Sequence, residues 1–219
     1  VTKPGMVVID VGAHVGYYSL LAARQVGDTG RVYAFEPEPT NYANLVKNIA
    51  LNGYNNVEAL NCGVAGNTGS STLFLTALDN GRHSTYQHGV VARGSITVET
   101  TTLDAFLEAK EWPKVDLVKI DVEGAEMDVL NGMVDLLAQS VDLKLIIEFN
   151  PVLIQSANVD PSAFLEKLNS MGFEVSGIDE KRGPLHLEEF GPHFLFEKLL
   201  TTEGSINLYC TKTCANNAS

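Results

Sequence analysis

The segment that decides the fold is Val7-Val8-Ile9-Asp10-Val11-Gly12-Ala13-His14-Val15-Gly16. Its first five residues form a nearly continuous apolar run, which is typical of a strand buried on both faces of a parallel sheet. Gly12 permits a tight turn, and apolar residues at helical spacing follow in Tyr17–Val26. A strand, a glycine turn and a helix in this order predict a Rossmann-like unit that binds a nucleotide-containing cofactor where the helix begins.

Strands and helices continue to alternate along the rest of the chain. This alternation predicts one α/β domain over residues 1–219, with a mostly parallel sheet and helices on both faces. Residues 79–94 and 183–200 interrupt the pattern and are predicted to be substrate or lid insertions, although 183–200 could instead cover a sheet edge. The remaining predicted strands are Val32–Phe35, Val57–Cys62, Ser71–Leu75, Ser95–Thr101, Asp116–Asp121, Leu143–Phe149, Phe173–Ile178 and Ile206–Thr211.

Composition restricts the classes of partner. The 219 residues include 15 Lys and Arg against 27 Asp and Glu, which gives a net charge of −12. This charge disfavours binding to nucleic acid, which leaves a small-molecule or glycan acceptor among the open classes of partner. No apolar run approaches the roughly 20 residues of a membrane-spanning helix. The three cysteines are too few for a disulfide framework, which predicts a reducing, cytoplasmic location. Composition leaves the oligomeric state open.

The glycine turn and the second strand point to the cofactor. His14 stands where a dinucleotide-binding turn carries its second glycine, and Asp10 is expected to face a positively charged group. S-adenosylmethionine carries an ammonium and a sulfonium but no phosphate, so it fits this turn. Glu36 ends the second strand and is predicted to accept hydrogen bonds from ribose hydroxyls. The predicted cofactor-binding residues are Asp10, Gly12, Ala13, His14, Gly16, Glu36, Pro37, Gly63, Val64 and Asp121.

A second group of polar residues follows the strands near Asp121 and Glu148. Lys119 lies within a central strand, where an ammonium group is costly without an acidic partner, and Glu148 is the expected partner. That ion pair could be purely structural or part of the site. Asp121, Glu123 and Glu148 should gather at the carboxyl ends of the strands. Because carboxylates suit hard cations, these three residues are candidate ligands of Mg²⁺, although Glu123 could instead stabilise the following helix.

Several of these motifs together resemble the FkbM family of S-adenosylmethionine-dependent methyltransferases. The resemblance implies a class I methyltransferase fold, with a seven-stranded sheet and an antiparallel final strand, and methyl transfer to oxygen on sugars or natural products. Relatives often have His after the Glu-aromatic pair, whereas this chain has Asn150. The matching segments are Pro4-Gly5, Ile9–Gly16, Phe35-Glu36-Pro37, Thr102-Leu103-Asp104, Lys119–Glu126 and Ile147-Glu148-Phe149.

The expected reaction is O-methylation of a hydroxyl on a sugar, lipid or natural-product acceptor. A hydroxyl must lose its proton, so a positioned base is expected. The candidate catalytic residues are Asp121, Glu148, Lys119 and His83. Two other functions stay open. The glycine turn with Glu36 would also suit an NAD(P)-dependent oxidoreductase or epimerase, and the lack of an obvious base would suit a noncatalytic binding module.

Overall fold

The computed structural model describes residues 1–76, 84–85, 92–179, 183–186 and 204–212. The strands are β1 (Val7–Val11), β2 (Arg31–Phe35), β3 (Val57–Leu60), β4 (Gly63–Val64), β5 (Gly69–Thr76), β6 (Ala92–Thr101), β7 (Leu117–Ile120), β8 (Lys144–Phe149), β9 (Phe173–Asp179), β10 (Gly183–His186) and β11 (Ile206–Lys212). The helices are α1 (Tyr17–Val26), α2 (Pro39–Asn52), α3 (Leu103–Ala109), α4 (Glu126–Asn131), α5 (Val134–Gln139), α6 (Pro151–Ser156) and α7 (Pro161–Ser170).

The main sheet has the order β10-β9-β11-β8-β7-β1-β2-β3. Its pairings from β3 to β8 are all parallel, whereas β11 runs antiparallel to both β8 and β9. The predicted seven-stranded, mostly parallel sheet with an antiparallel final strand is therefore confirmed. The structure adds an eighth strand, β10, which pairs antiparallel with β9 at the sheet edge. It uses the first four residues of the predicted insertion 183–200, and residues 187–200 lie outside the described part of the chain.

A second sheet of three strands, in the order β4-β6-β5, stands beside the main one. It contains the strands predicted at Ser71–Leu75 and Ser95–Thr101, which pair with each other in antiparallel register. The predicted strand Val57–Cys62 is corrected. Its pairing to β2 stops at Leu60, and the chain then turns so that Gly63 pairs with Thr100 of the second sheet. Most of the predicted insertion 79–94 lies outside the described residues, but Ser84 forms a bridge with Phe74.

Side chains alternate between the two faces of the main sheet, and each face packs under helices. Ile9, Val11 and Ile120 belong to the larger buried cluster, which includes residues of α3, α4, α5 and α7. Val8 and Leu117 belong to a smaller cluster, which includes residues of α1. Asp10 and Lys119 therefore lie on the α1 face. No helix among the described residues is long and apolar enough to cross a membrane.

Candidate functional site

A pocket opens at the carboxyl ends of β1, β2 and β7, where open α/β sheets bind their ligands. The main sheet and its loops provide one wall, and the second sheet provides the other. The lining residues from the main sheet and its loops include Val11, Gly12, His14, Phe35, Glu36, Pro37, Asp121, Val122 and Glu123, and those from the second sheet are Gly63, Val64, Ser71, Leu73, Val98 and Thr100.

Gly12 lets two loops of the pocket approach each other closely. It has φ of +80°, and a Cβ atom at this position would lie 1.9 Å from the backbone oxygen of Asp121. The Asp121 N–H donates to the Val11 carbonyl at 3.1 Å, so the chain leaving β7 is tied to the end of β1. A larger residue at position 12 would push the two loops apart, because no side chain fits within 2 Å of a carbonyl oxygen.

Glu36 is fixed by the turn that follows β1. One carboxylate oxygen accepts the His14 N–H at 2.8 Å, and the other accepts the Glu38 N–H at 2.9 Å. Burial raises the pKa of Glu36 to about 7, although the hydrogen bonds from Glu38 and His14 oppose that rise. The Asn41 side chain is a third partner, and the two carboxylate oxygens together still have acceptor capacity for another donor. Glu36 can therefore accept hydrogen bonds from a ligand without leaving its two backbone partners.

His14 brings a second polar group to the pocket. Its backbone has φ of +52°, which is uncommon for a residue other than glycine. Its Nε2 atom is buried and has no hydrogen-bond partner among the described residues. Because buried polar atoms are normally paired, this nitrogen is available to a ligand.

Asp10 does not line this pocket, and its predicted contact with a cationic group of the cofactor stays a prediction. Its neighbours Ile9 and Val11 point to the other face of the sheet, so the Asp10 side chain points toward α1. There its carboxylate accepts the Ser19 hydroxyl at 2.6 Å and lies 3.4 Å from Nζ of Lys119. The positive charge opposite Asp10 is thus a lysine of the same chain.

Lys119 pairs with Asp10 and Asp121, which corrects the expected ion pair with Glu148. Its Nζ lies 3.1 Å from a carboxylate oxygen of Asp121 and 4.8 Å from the ring centre of Tyr18. Burial alone would lower the pKa of Lys119, but the charges of Asp10 and Asp121 outweigh that effect and raise it. Lys119 is absent from the pocket lining, so it supports Asp121 from behind.

Ala13 and Gly16 also lie outside the pocket lining, and their predicted contacts with the cofactor stay predictions. The Ala13 N–H donates to the Phe35 carbonyl at 2.9 Å. Gly16 lies against α2, where an added Cβ would come 2.6 Å from Cδ1 of Leu45. These residues shape the turn by packing. The predicted residues that do line the pocket are Gly12, His14, Glu36, Pro37, Gly63, Val64 and Asp121.

Asp121, Glu123 and Glu148 come together as predicted, with ligand atoms all within 4.8 Å of one another. Burial raises the pKa of Glu148 most, followed by the negative charge of Asp121, and a hydrogen bond with the Asp121 carboxyl group adds to the rise. The Ser205 hydroxyl donates to Glu148 at 2.7 Å and opposes it. The negative charge of Asp121 makes ionisation of Glu148 less favourable, so the Glu148 carboxylate holds a proton more strongly than an ordinary glutamate does.

Some site residues were not predicted from the sequence. The second-sheet side chains that line the pocket gave no chemical signal, because Leu73, Val98 and Thr100 are ordinary strand residues. Ser205 lies far from Glu148 along the chain. Asn150 accepts the N–H groups of Val152 and Leu153 and begins α6, which is a structural role. The candidate base His83 lies outside the described residues.

Comparison with known proteins assigns the chain to a family. The sequence model of a family described as the methyltransferase FkbM domain matches residues 10–175. The chain belongs to this family. The FkbM chain is 33% identical to the hexuronic acid methyltransferase AglP of Haloferax volcanii over 156 residues, which cover 71% of this chain and 58% of AglP. It is 30% identical to methyltransferase 1 of Beauveria bassiana, with 58% of each protein covered. The FkbM chain thus spans 58% of the length of these two curated relatives.

The fold of the FkbM chain also resembles that of a solved structure. The crystal structure of methyltransferase FkbM from Methylobacillus flagellatus superimposes with a TM-score of 0.56 at 16% identity, covering 95% of this chain and 43% of that one. This likeness concerns the fold alone. Together with the strand order, it confirms the Rossmann-like class I methyltransferase fold.

Glu36 predicts a pH-dependent affinity of the FkbM chain for S-adenosylhomocysteine. Ribose hydroxyls would donate to the ionised carboxylate and lower its pKa, so binding should release a proton below about pH 7. The affinity should weaken as the pH falls, by at most about tenfold per pH unit. In Glu36→Gln the affinity at pH 8 should be about 10- to 100-fold weaker and nearly independent of pH. Isothermal titration between pH 5.5 and 8.5 measures both effects.

Glu58→Gln is the matched control, because Glu58 pairs with Arg31 and Lys110 outside the pocket. It should bind as the unmodified chain does. An unchanged pH dependence in Glu36→Gln would contradict the role given to Glu36.

The buried ion pair predicts a large cost for removing Lys119. Lys119→Met leaves Asp10 buried without its cation and should lower the free energy of unfolding by about 3 kcal/mol. The double variant Asp10→Asn with Lys119→Met should recover part of that loss. Urea denaturation measures these differences. Lys114→Met removes an exposed lysine that pairs with Asp116 and should cost less than about 1 kcal/mol. Equal stability of the two Lys→Met variants would refute the structural role of Lys119.

Proposed function

We propose that this chain transfers the methyl group of S-adenosylmethionine to a hydroxyl oxygen, with a sugar as the favoured acceptor and a lipid or natural product as alternatives. The observation that carries the proposal is the Asp121–Glu148 carboxyl pair. Asp121 lines a pocket that also contains Glu36, and Glu148 contacts Asp121. The membership in the FkbM methyltransferase family supports the methyl-transfer part of the proposal.

The residues of the pocket suit S-adenosylmethionine. Glu36 has acceptor capacity for ribose hydroxyls, and the buried Nε2 atom of His14 has no partner among the described residues. The pocket also carries the carboxyl groups of Asp121 and Glu123, which favour a positively charged ligand. When bound, this cofactor supplies a methyl group on a sulfonium sulfur. Its binding residues would be Gly12, His14, Glu36, Pro37, Gly63, Val64 and Asp121.

The pair of carboxyl groups from Asp121 and Glu148 can take up the proton that the acceptor hydroxyl loses. When bound, the cofactor would give its methyl group to the acceptor oxygen as its S–CH3 bond breaks, leaving S-adenosylhomocysteine. Glu148, in its ionised form, would take the proton that the acceptor hydroxyl loses. The raised pKa of Glu148 makes that carboxylate a stronger base than an ordinary glutamate. Lys119 holds Asp121 from the opposite side at 3.1 Å and keeps its carboxylate in place. Orientation of the acceptor oxygen supplies the rest of the catalysis, because this displacement needs no covalent intermediate.

The acceptor class is inferred from the pocket wall and from one relative. The second sheet contributes polar side chains such as Ser71 and Thr100, and Thr85 lies in a described part of the predicted insertion 79–94. Hydroxyl groups of this kind suit an acceptor that is itself hydroxylated. AglP of Haloferax volcanii is named for hexuronic acid, which is a sugar acid. Both observations favour a sugar.

The predicted Mg²⁺ site uses the same carboxyl groups. Asp121, Glu123 and Glu148 offer three carboxylate ligands within reach of one ion, and carboxylates are ligands that Mg²⁺ prefers. A bound dication would occupy the place where Glu148 accepts the proton and would acidify an acceptor hydroxyl directly. Proton uptake by Glu148 and cation binding are therefore alternative uses of one site. We favour proton uptake, because the Asp121 carboxyl group already contacts Glu148.

The proposal predicts both cofactor binding and methyl transfer. Labelled S-adenosylmethionine incubated with hydroxylated sugars should give a methylated product. In Glu148→Gln, kcat should fall by about 100-fold or more, because the base is lost. Ser205→Ala removes a donor that lowers the pKa of Glu148, so the rising limb of kcat/KM against pH should move to higher pH. Ser170→Ala is the control and should leave the pH profile unchanged. The Ser170 hydroxyl donates to the carbonyl of Lys167 in its own helix.

Other outcomes separate the competing functions. No binding of S-adenosylhomocysteine by the folded chain would contradict the proposal, and a nicotinamide cofactor that copurifies would favour an oxidoreductase. Cofactor binding without product from any sugar, lipid or polyketide acceptor would favour a noncatalytic module. Activity that disappears in EDTA and returns with Mg²⁺ would favour a cation held by these carboxyl groups over Glu148 as the base.

A further inference from the structure

The turn between β7 and α4 carries two acidic side chains of the pocket in an unusual backbone conformation. Asp121 and Glu123 both line the pocket. Glu123 has φ of +52° and Gly124 has φ of +103°. A left-handed backbone at a residue with a side chain is unfavourable, so it persists only where its surroundings hold it. Groups of this chain that contact the turn must therefore stabilise this conformation.

Glu126 holds the turn from its buried side. This residue begins α4 and is 2% exposed. One of its carboxylate oxygens accepts the N–H groups of Val122 at 3.3 Å and Gly124 at 3.1 Å. Two backbone donors of the turn therefore converge on one side-chain atom. Without that atom, both N–H groups would lose a partner within the protein interior.

The burial of Glu126 has no evident benefit for stability alone. Its second carboxylate oxygen is buried and has no hydrogen-bond partner among the described residues. Burial raises the pKa of Glu126 to about 7, and the hydrogen bonds from Gly124 and Val122 only partly oppose that rise. A carboxyl group in such surroundings is costly, and an apolar side chain would avoid the cost. What the carboxyl group provides is the conformation of the turn.

Two other contacts hold the same turn from different directions. The hydroxyl group of Ser84 donates to the Glu123 carbonyl at 2.7 Å, which links the turn to the described part of the insertion 79–94. On the β1 side, Gly12 packs against the Asp121 carbonyl. Ser84 and Gly12 restrain the carbonyl groups, whereas Glu126 restrains the N–H groups. The three contacts together fix the directions of both carboxylate side chains.

We propose that Glu126 is a positioning residue, which holds the turn 121–124 so that the carboxyl groups of Asp121 and Glu123 face the acceptor hydroxyl. This role rests on the proposed methyl transfer. Glu126 is not in the pocket lining and does not touch the reacting atoms. Its effect passes through the backbone of the turn, so it concerns turnover far more than cofactor affinity.

The test compares Glu126→Ala with Glu126→Gln, which keeps an acceptor oxygen. Glu166→Ala, on the exposed side of α7, is the control. In Glu126→Ala, the amide hydrogens of Val122 and Gly124 should exchange at least about tenfold faster by NMR, and kcat should fall by about tenfold or more. The dissociation constant of S-adenosylhomocysteine should change by a smaller factor than kcat does, since Glu36 and the glycine turn are untouched. Glu126→Gln should restore both exchange protection and kcat.

Three results would overturn the proposal. They are wild-type kcat in Glu126→Ala, unchanged exchange at Gly124, and a Glu126→Gln variant as impaired as Glu126→Ala. Should Glu126→Ala fail to fold, Glu126→Asp serves instead. Its carboxylate is one methylene shorter and should leave the N–H groups unprotected and lower kcat, and wild-type values would count against the proposal. If the unmodified chain binds no S-adenosylhomocysteine, the proposed function fails, while the exchange data still report on the turn.

Discussion

The site depends on one steric constraint, which is the contact between Gly12 and the carbonyl group of Asp121. Parallel strands β1 and β7 are neighbours, so the loops that follow them compete for the same space. Only a residue without a side chain lets both loops occupy it. One loop then carries His14 and hydrogen-bonds to Glu36, and the other carries Asp121 and Glu123. Because these loops touch, the residues proposed to bind the cofactor lie next to the carboxyl groups of Asp121 and Glu123.

Part of the negative charge of the chain lies in carboxyl groups near the pocket. These carboxyl groups differ in the partners that they contact. Asp10 is neutralised by Lys119 on the α1 face, whereas Glu148 has a hydroxyl and another carboxyl group as its partners. A buried cation therefore supports the pocket from behind without entering it. Asp121 and Glu123 line the pocket and Glu148 contacts Asp121, so these acids can favour a cationic ligand or accept a proton.

The sequence predicted the fold and the identity of the site acids better than it predicted their contacts. Apolar strands that alternate with amphipathic helices identify the parallel sheet, and Glu36 follows from its place after the second strand. The contacts of Asp10 could not be predicted, because the face toward which it points, and the position of Lys119 opposite, are set by how two strands pair. Glu126 was visible in the motif, yet its role depends on a backbone conformation that no sequence pattern displays.

The contact between Gly12 and the Asp121 carbonyl can be tested through the affinity of Gly12→Ala for S-adenosylhomocysteine, measured by isothermal titration against Gly53→Ala. Both glycines have positive φ, +80° and +70°, but an added Cβ at Gly53 meets nothing within 4 Å. Both variants thus carry similar backbone strain, and only the first forces the loops apart. We expect wild-type affinity for Gly53→Ala and a loss of about tenfold or more for Gly12→Ala. Equal, undiminished affinity in both variants would show that the site does not depend on the contact between Gly12 and Asp121.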